Sequence, residues 1–228
     1  MQNEIAMSVT RDVRRSPQPG HTRAGSGADG LRDRVIRQGR FGRRCYFCHL
    51  PFGDSGEFEV HHLDHDHDNE SADNTVPICS LCHMPFHLDL VLREMPNEPG
   101  RIIYAPELSQ QRLSSLLYAI GAHSTRVDPT NRSEHFAGQI YESLLRRADA
   151  VERVDGREVR PKLSQVHAMV RLLQDVSAER YAERADWLSG CLYLPPLSML
   201  MQQAEHSRAT GFSTLDLFSW DVIAGPEA

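Results

Sequence analysis

The chain has 228 residues, 40% of them hydrophobic and 25% charged, with a formal net charge of −6. That is enough apolar material for one domain, or for a small domain with a larger companion. No run of about eighteen apolar residues occurs, so no membrane span is expected; MQNEIAMSVTRDVRR lacks the apolar stretch of an export signal, so a cytoplasmic protein is expected.

The charge is uneven along the chain. Residues 1–44 carry ten Arg and four acidic residues, a balance of +6, which leaves −6 − 6 = −12 for the remainder. Lys162 is the only lysine. A basic arm beside a metal site would suit a phosphate-binding surface. Residues 1–30, however, are rich in Pro, Gly and Ser (SPQPGHTRAGSGADG) and read as a disordered, solvated basic arm.

Leu31 to Gly39 reads as one short helix, with Leu31, Val35 and Ile36 on one face and Gly39 stopping it. RRCYFCHL follows. Glu57 to Leu63 places Phe and Val between polar residues and reads as a strand; Asp64 to Ala72 is polar loop. Asn74 to Ile78 is a second extended piece, with Pro77 expected to limit its pairing. PICSLCHM comes next, and Ser80 is placed to cap a helix running to about Leu92. Pro85 fits that helix only in or near its first turn. On it His83 and His87 stand i, i+4 and share a face.

Cys45/Cys48 and Cys79/Cys82 form two C-x-x-C pairs with thirty residues between them. Two such turns complete a tetrahedral thiolate site, so a structural Zn²⁺ on these four cysteines is expected. The gap exceeds the roughly fifteen to twenty residues of a simple zinc ribbon, so something is inserted. Structural disulfides are disfavoured without an export signal, and a redox C-x-x-C would need a βαβ setting. Cys191, in LSGCLYLPP, reads as a small buried hydrophobe. The insert contains VHHLDHDHD, four histidines and three aspartates in nine positions. Asp66, His67 and Asp68 read as a solvated acidic turn rather than a further metal site.

Helix, knuckle, strand ending in His61-His62, loop with Asn74, knuckle and a helix carrying His83 and His87: in this order the sequence resembles the HNH, or ββα-metal, nuclease family, over about residues 30–92. The resemblance implies a divalent cation (Mg²⁺, Mn²⁺, Ni²⁺ or Zn²⁺) on His61, His83 and His87. It implies His62 as general base and Asn74 as the residue that holds the loop aiming that base. Asp64-His65 is an alternative register for the pair; His61-His62 is preferred because it ends the apolar strand. DNA would be the substrate, with Arg37, Arg40, Arg43 and Arg44, helped by Arg32 and Arg34, on its phosphates. The competing view is a histidine-rich wet surface beside a structural zinc.

The chain continues well past such a module. Gly100 to Leu108 reads as a short strand entering a helix start, and Leu113, Leu116, Leu117 and Ile120 then share a helical face. Periodic segments follow at 134–154, 162–176, 177–189 and 197–208, separated by VDGREVRP, by a break at Ser177 and by LSGCLYLPP. The block GRIIYAPELSQQRLSSLLYAIGA (100–122), just after a zinc module, is similar to the IcmJ/DotN family of type IVB (Dot/Icm) secretion and conjugation systems. That resemblance implies an adaptor that contacts the coupling ATPase and other coupling-complex subunits, recruited to the inner membrane by the secretion complex. The expected fold is α+β: a basic arm (1–30), a four-cysteine zinc-bound HNH-like ββα-metal module (31–99) and an α-helical interaction region (100–228).

Overall fold

The computed structural model of the chain describes residues 5–11, 28–37, 41–52, 58–124, 132–154, 157–158 and 160–209. Helix α1 (Ala28–Arg37) buries Val35 and packs Ile36 against the core, laying the helix on the hairpin that follows. In that hairpin β1 (Glu59–His62) pairs antiparallel with β2 (Thr75–Ile78), His61 opposite Val76 and His62 opposite Thr75. Pro77 does not limit the pairing. Its carbonyl points outward and accepts from Tyr46 N–H (2.8 Å), so its missing donor also falls on the side away from β1.

The helix expected from Ser80 to Leu92 is instead three pieces: α2 (Ser80–His83), a 3₁₀ turn (Met84–His87) and α3 (Leu88–Glu94). Pro85 sits at the start of the 3₁₀ turn, where its absent N–H costs least. The cap position belongs to Cys79, with ψ 156°, rather than to Ser80, whose hydroxyl accepts from Gln203.

Beyond the module lie β3 (Arg101–Tyr104), α4 (Gln110–Ser124), α5 (Arg132–Arg146), α6 (Ala148–Val151), a short hairpin of β4 (Arg153–Val154) and β5 (Arg157–Glu158), α7 (Val166–Asp175), α8 (Ala178–Ala182), α9 (Arg184–Trp187), β6 (Cys191–Leu194) and α10 (Leu197–Ala209). LSGCLYLPP is therefore not a mere break. It contains β6, which pairs antiparallel with β3, Ile102 opposite Tyr193. Leu192, Tyr193 and Leu194 are all buried, so the strand is a continuous apolar run without the alternation that marks a half-exposed one. Cys191 is half-buried on it.

The module and its extension share a core. One buried cluster joins Cys45, Cys79 and Cys82 to Leu113, Leu117, Ile120, Tyr141 and Leu200. Helix α4 lies across α2, α5 and α10, and Ser114 Oγ donates to Leu81 O (3.3 Å). Part of the arm expected to be disordered belongs to the fold as well. Residues 5–11 are described, with Ile5, Met7 and Val9 buried, and they run against α3 and α8. Among the described residues no helix is long and apolar enough to cross a membrane.

Gly100 immediately precedes β3 at φ +84°, and a Cβ there would lie 2.3 Å from Leu194 O of the paired strand. Gly100→Ala therefore meets both left-handed strain and a backbone clash. It should cost at least about 1–3 kcal/mol, read as a lower urea midpoint with an unchanged slope.

Candidate metal centres

The first knuckle is a tight loop. Cys45 N–H donates to Leu50 O (2.9 Å), His49 N–H returns to Cys45 O (2.9 Å), and His49 takes a positive φ of 59° to close it. The second is the extended-to-helical junction at Cys79, where Cys82 N–H donates to Cys79 O (3.1 Å). Cys79 N–H also donates to Cys45 Sγ (3.4 Å), which ties the two knuckles together. The four Sγ atoms lie within 4.8 Å of one another, and Cys48 and Cys79 are 3.7 Å apart, too far for a disulfide.

Three of these cysteines are buried and Cys48 is half-buried. Burial alone would raise the Cys45 thiol, but hydrogen bonds from Cys48, Cys79 and Cys82 outweigh it and hold Cys45 well below its ordinary value. Cys79 and Cys82 are pushed well up, by burial first and then by Cys45 and Cys48. Crowded sulfur donors that cannot all ionise by themselves are what a cation would relieve. The set could hold one metal ion.

A second convergence is built from β1, α2 and the 3₁₀ turn. The ring nitrogens of His61, His83 and His87 also fall within 4.8 Å of one another. His61 comes from β1 and stacks on Phe86 of the 3₁₀ turn, ring centroids 4.3 Å apart at 23°. His83 ends α2, and its Nδ1 is hydrogen-bonded to the carboxylate of Glu59, which stands two residues before His61 on the same strand face. That leaves Nε2 of His83 for another partner. His87 ends the 3₁₀ turn, its ring 4.7 Å from that of His83 at 87°. Burial, and after it the neighbouring imidazoles, push His61 and His87 well below their ordinary value. They are therefore neutral, with lone pairs free for a cation. Three imidazoles, that of His83 oriented by a carboxylate, make a donor set that fits a divalent transition-metal ion.

His62 points to the opposite face of β1 from His61. It is 7% exposed, and both of its ring nitrogens are buried without a hydrogen-bond partner. Burial lowers its pKa despite Asp64, Glu70 and Asp66, which act the other way. The ring of His67 lies 4.9 Å away. Asn74 spends its side-chain hydrogen bonds on the loop rather than on these rings. Its Oδ1 accepts from Asp64 N–H (3.0 Å), and its Nδ2 donates to Asp64 Oδ1 (2.8 Å) and to Asn69 O (2.7 Å). One buried amide thus closes the 64–69 loop. Asp64 is committed to that loop and exposed, and His65 sits at φ +61°; of the two pairs it is His61 that converges with His83 and His87.

The arginines are less gathered. Arg37 pairs with Asp33 along α1 (3.1 Å), and Arg34 pairs with Glu70 of the loop. Arg32 lies over the Phe58 ring (4.7 Å). Arg44 donates to His49 O (3.3 Å) inside the first knuckle, and Arg43 is exposed beside it. Arg40 lies outside the described residues. Glu59, Phe86 and His67 were not anticipated as site residues. Glu59 was readable from its i, i+2 spacing to His61, whereas nothing local announced that His67 folds back over His62.

No protein-family model matches the chain, and no curated protein matches it.

The depressed histidines carry a sign. Above their ordinary value of 6.5 they are neutral in both folded and unfolded chains and contribute no pH dependence. Below it the unfolded chain takes up protons that buried His61 and His87 refuse, so stability falls. The melting temperature should drop as pH is lowered from neutrality toward about 5, and His87→Gln should flatten that slope.

Proposed function

We propose that this chain is a zinc-folded protein bearing a metal-dependent nuclease centre of the HNH kind, one that hydrolyses DNA phosphodiester bonds. The observation that carries the reading is the convergence of His61, His83 and His87, with His62, buried and unpartnered, on the adjacent position of the same strand. Cys45, Cys48, Cys79 and Cys82 would hold a structural Zn²⁺, because four close thiolates suit that ion above the harder cations. His61, His83 and His87 would hold a divalent cation, which when bound supplies positive charge to the scissile phosphate and the leaving oxygen.

The chain's own residues do the rest. Glu59 accepts from His83 and fixes its tautomer, so that Nε2 is the lone-pair nitrogen. His62, kept neutral by burial, takes the proton of the attacking water. Asn74 keeps the 64–69 loop closed, which holds the His67 ring in place beside His62. Exposed Arg43 and Arg44 offer charge for phosphate contacts, which position a duplex without reading its sequence, so cleavage should show little sequence preference.

Purified protein with Mn²⁺, Mg²⁺ or Ni²⁺ should nick supercoiled plasmid, and His62→Ala should slow nicking about 10²–10⁴-fold while zinc content and fold are kept. Intact plasmid with every metal would remove this reading. Cys79→Ser should forfeit the stoichiometric zinc and the cooperative melt together, since structural zinc contributes roughly 10–16 kcal/mol in small zinc peptides.

A second reading has an observation of its own. Asp64, Asp66, Asp68 and Glu70 form an exposed acidic collar beside His62, which would repel a polyanion. The zinc knuckles are also built into the core of a helical body far larger than a nuclease module needs. Both features suit an adaptor of the IcmJ/DotN kind, held to the coupling ATPase of a type IVB secretion or conjugation system, with the metal site kept for shape. Under that reading a His62→Ala strain keeps secretion or conjugation, and the protein co-purifies with the ATPase. Loss of transfer in a stable His62→Ala strain would decide for the nuclease.

A further inference from the structure

We propose that residues 5–11 are a positioning brace for the histidine site, making its metal affinity depend on α8 and α9, which contribute none of its ligands. This rests on reading His61, His83 and His87 as a metal site. The break at Pro85 leaves two backbone groups without regular helical partners, and Ser8 takes both. Ser8 N–H donates to Pro85 O (2.8 Å), and Leu88 N–H donates to Ser8 O (3.1 Å). In a regular helix Leu88 would instead donate to Met84 O. One residue of the N-terminal segment, through its N–H and its C=O, therefore spans the 3₁₀ turn from its proline to the residue after His87.

His87 has φ −136° and ψ 54°, which no α-helix tolerates, and it is this departure that turns its ring toward His83. Leu88 is fully buried, so water cannot replace Ser8 as the acceptor. Without Ser8 the turn would relax toward continuous helix as far as Pro85 allows, and His87 would leave the cluster.

The brace is anchored from the far side. Tyr181 Oη accepts from Val9 N–H (3.0 Å) and donates to Val9 O (2.8 Å). Arg184 Nε donates to Met7 O (3.2 Å) and Ser8 Oγ (3.0 Å), and its guanidinium lies over the Tyr181 ring (4.5 Å). Thr10 N–H donates to Asp89 Oδ1 (3.1 Å) in the first turn of α3. Arg11 covers the carbonyls at the end of α7, those of Gln174 (3.4 Å), Val176 and Ser177 (3.2 Å). Met7 and Val9 are buried in the cluster that contains Leu88, Val91 and Leu173.

The test is a Co²⁺ titration of the full chain, together with hydrogen exchange at the Leu88 amide, in wild type and in a Tyr181→Phe/Arg184→Met double variant. The thiolate-to-cobalt absorption reports the cysteine site, and binding beyond it reports the histidine site. The expected result is weaker binding at the histidine site by about tenfold or more, unchanged thiolate absorption and faster Leu88 exchange. A chain lacking residues 1–11 should show the same, more strongly; if it does not fold, the double variant decides. Histidine-site affinity and Leu88 exchange both equal to wild type would overturn the proposal. Should wild type itself bind no Co²⁺ beyond the thiolates, the metal reading of the histidines fails. Leu88 exchange then still judges the brace: faster exchange in the variant upholds its hold on the turn, and unchanged exchange overturns it.

Discussion

Four sulfur atoms within 4.8 Å of one another, three of the cysteines buried, are the constraint on which the rest of this fold depends. Burial, and after it Cys45 and Cys48, oppose ionisation of Cys79 and Cys82, and a cation among the sulfurs would relieve that opposition. The requirement is topological as much as electrostatic. Cys45 and Cys48 precede the hairpin and Cys79 and Cys82 follow it, so bringing them together folds β1 and β2 back beside α2. That return sets His61 opposite His83.

The cluster is also an ingredient of the larger core. Tyr118 of α4 has its hydroxyl pushed well up, by burial first and then by the neighbouring cysteines, which places the helix against the knuckles. Leu113, Leu117 and Ile120 of the same helix fill the cluster that the cysteines begin. The extension therefore cannot be peeled from the module without exposing the sulfurs. The buried β3–β6 pair is tied into the arrangement: Gln110 Nε2 donates to Tyr193 O (3.0 Å) and its Oε1 accepts from Tyr193 N–H (2.8 Å), binding the start of α4 to the second strand.

What the sequence disclosed follows physical range. C-x-x-C spacing and the apolar strand ending in His61-His62 are local patterns, and both lie where the pattern placed them; His83 and His87 do converge, but across a 3₁₀ break rather than on one helical face, and the stripes beyond residue 110 fall on shorter helices, with β4 ending the 134–154 segment. Three features turned on partners distant in the chain. LSGCLYLPP became a strand because β3, some ninety residues earlier, offers it a ladder (Ile102 opposite Tyr193). The helix from Ser80 broke because Pro85 had Ser8 to receive the freed backbone groups. The brace itself alternates as Ile5, Met7, Val9, a strand-like pattern obscured by the Pro- and Gly-rich residues that follow. Asn74 is intermediate. Its place before the knuckle was legible, but its grip on Asp64 and Asn69 required the loop's actual path.

The broken helix and the histidine cluster are one problem solved once. An unbroken helix would keep its i, i+4 histidines parallel on one face, with rings offset by a full turn. The 3₁₀ turn winds that segment more tightly and stretches it along its axis, and the non-helical backbone of His87 (φ −136°, ψ 54°) sets its ring at 87° to that of His83. Phe86, carried on the same turn, is brought under His61 and fixes the third ring by stacking. A proline that would ordinarily weaken a helix thereby aims two side chains at a third strand-borne one. The cost is two backbone groups stripped of helical partners, and these are the ones that Ser8 satisfies. Positioning of the site is thus shared between a local defect and a segment some eighty residues away, which explains why a chain with so small a ββα unit commits α8, α9 and its N-terminal residues to the surroundings of three histidines.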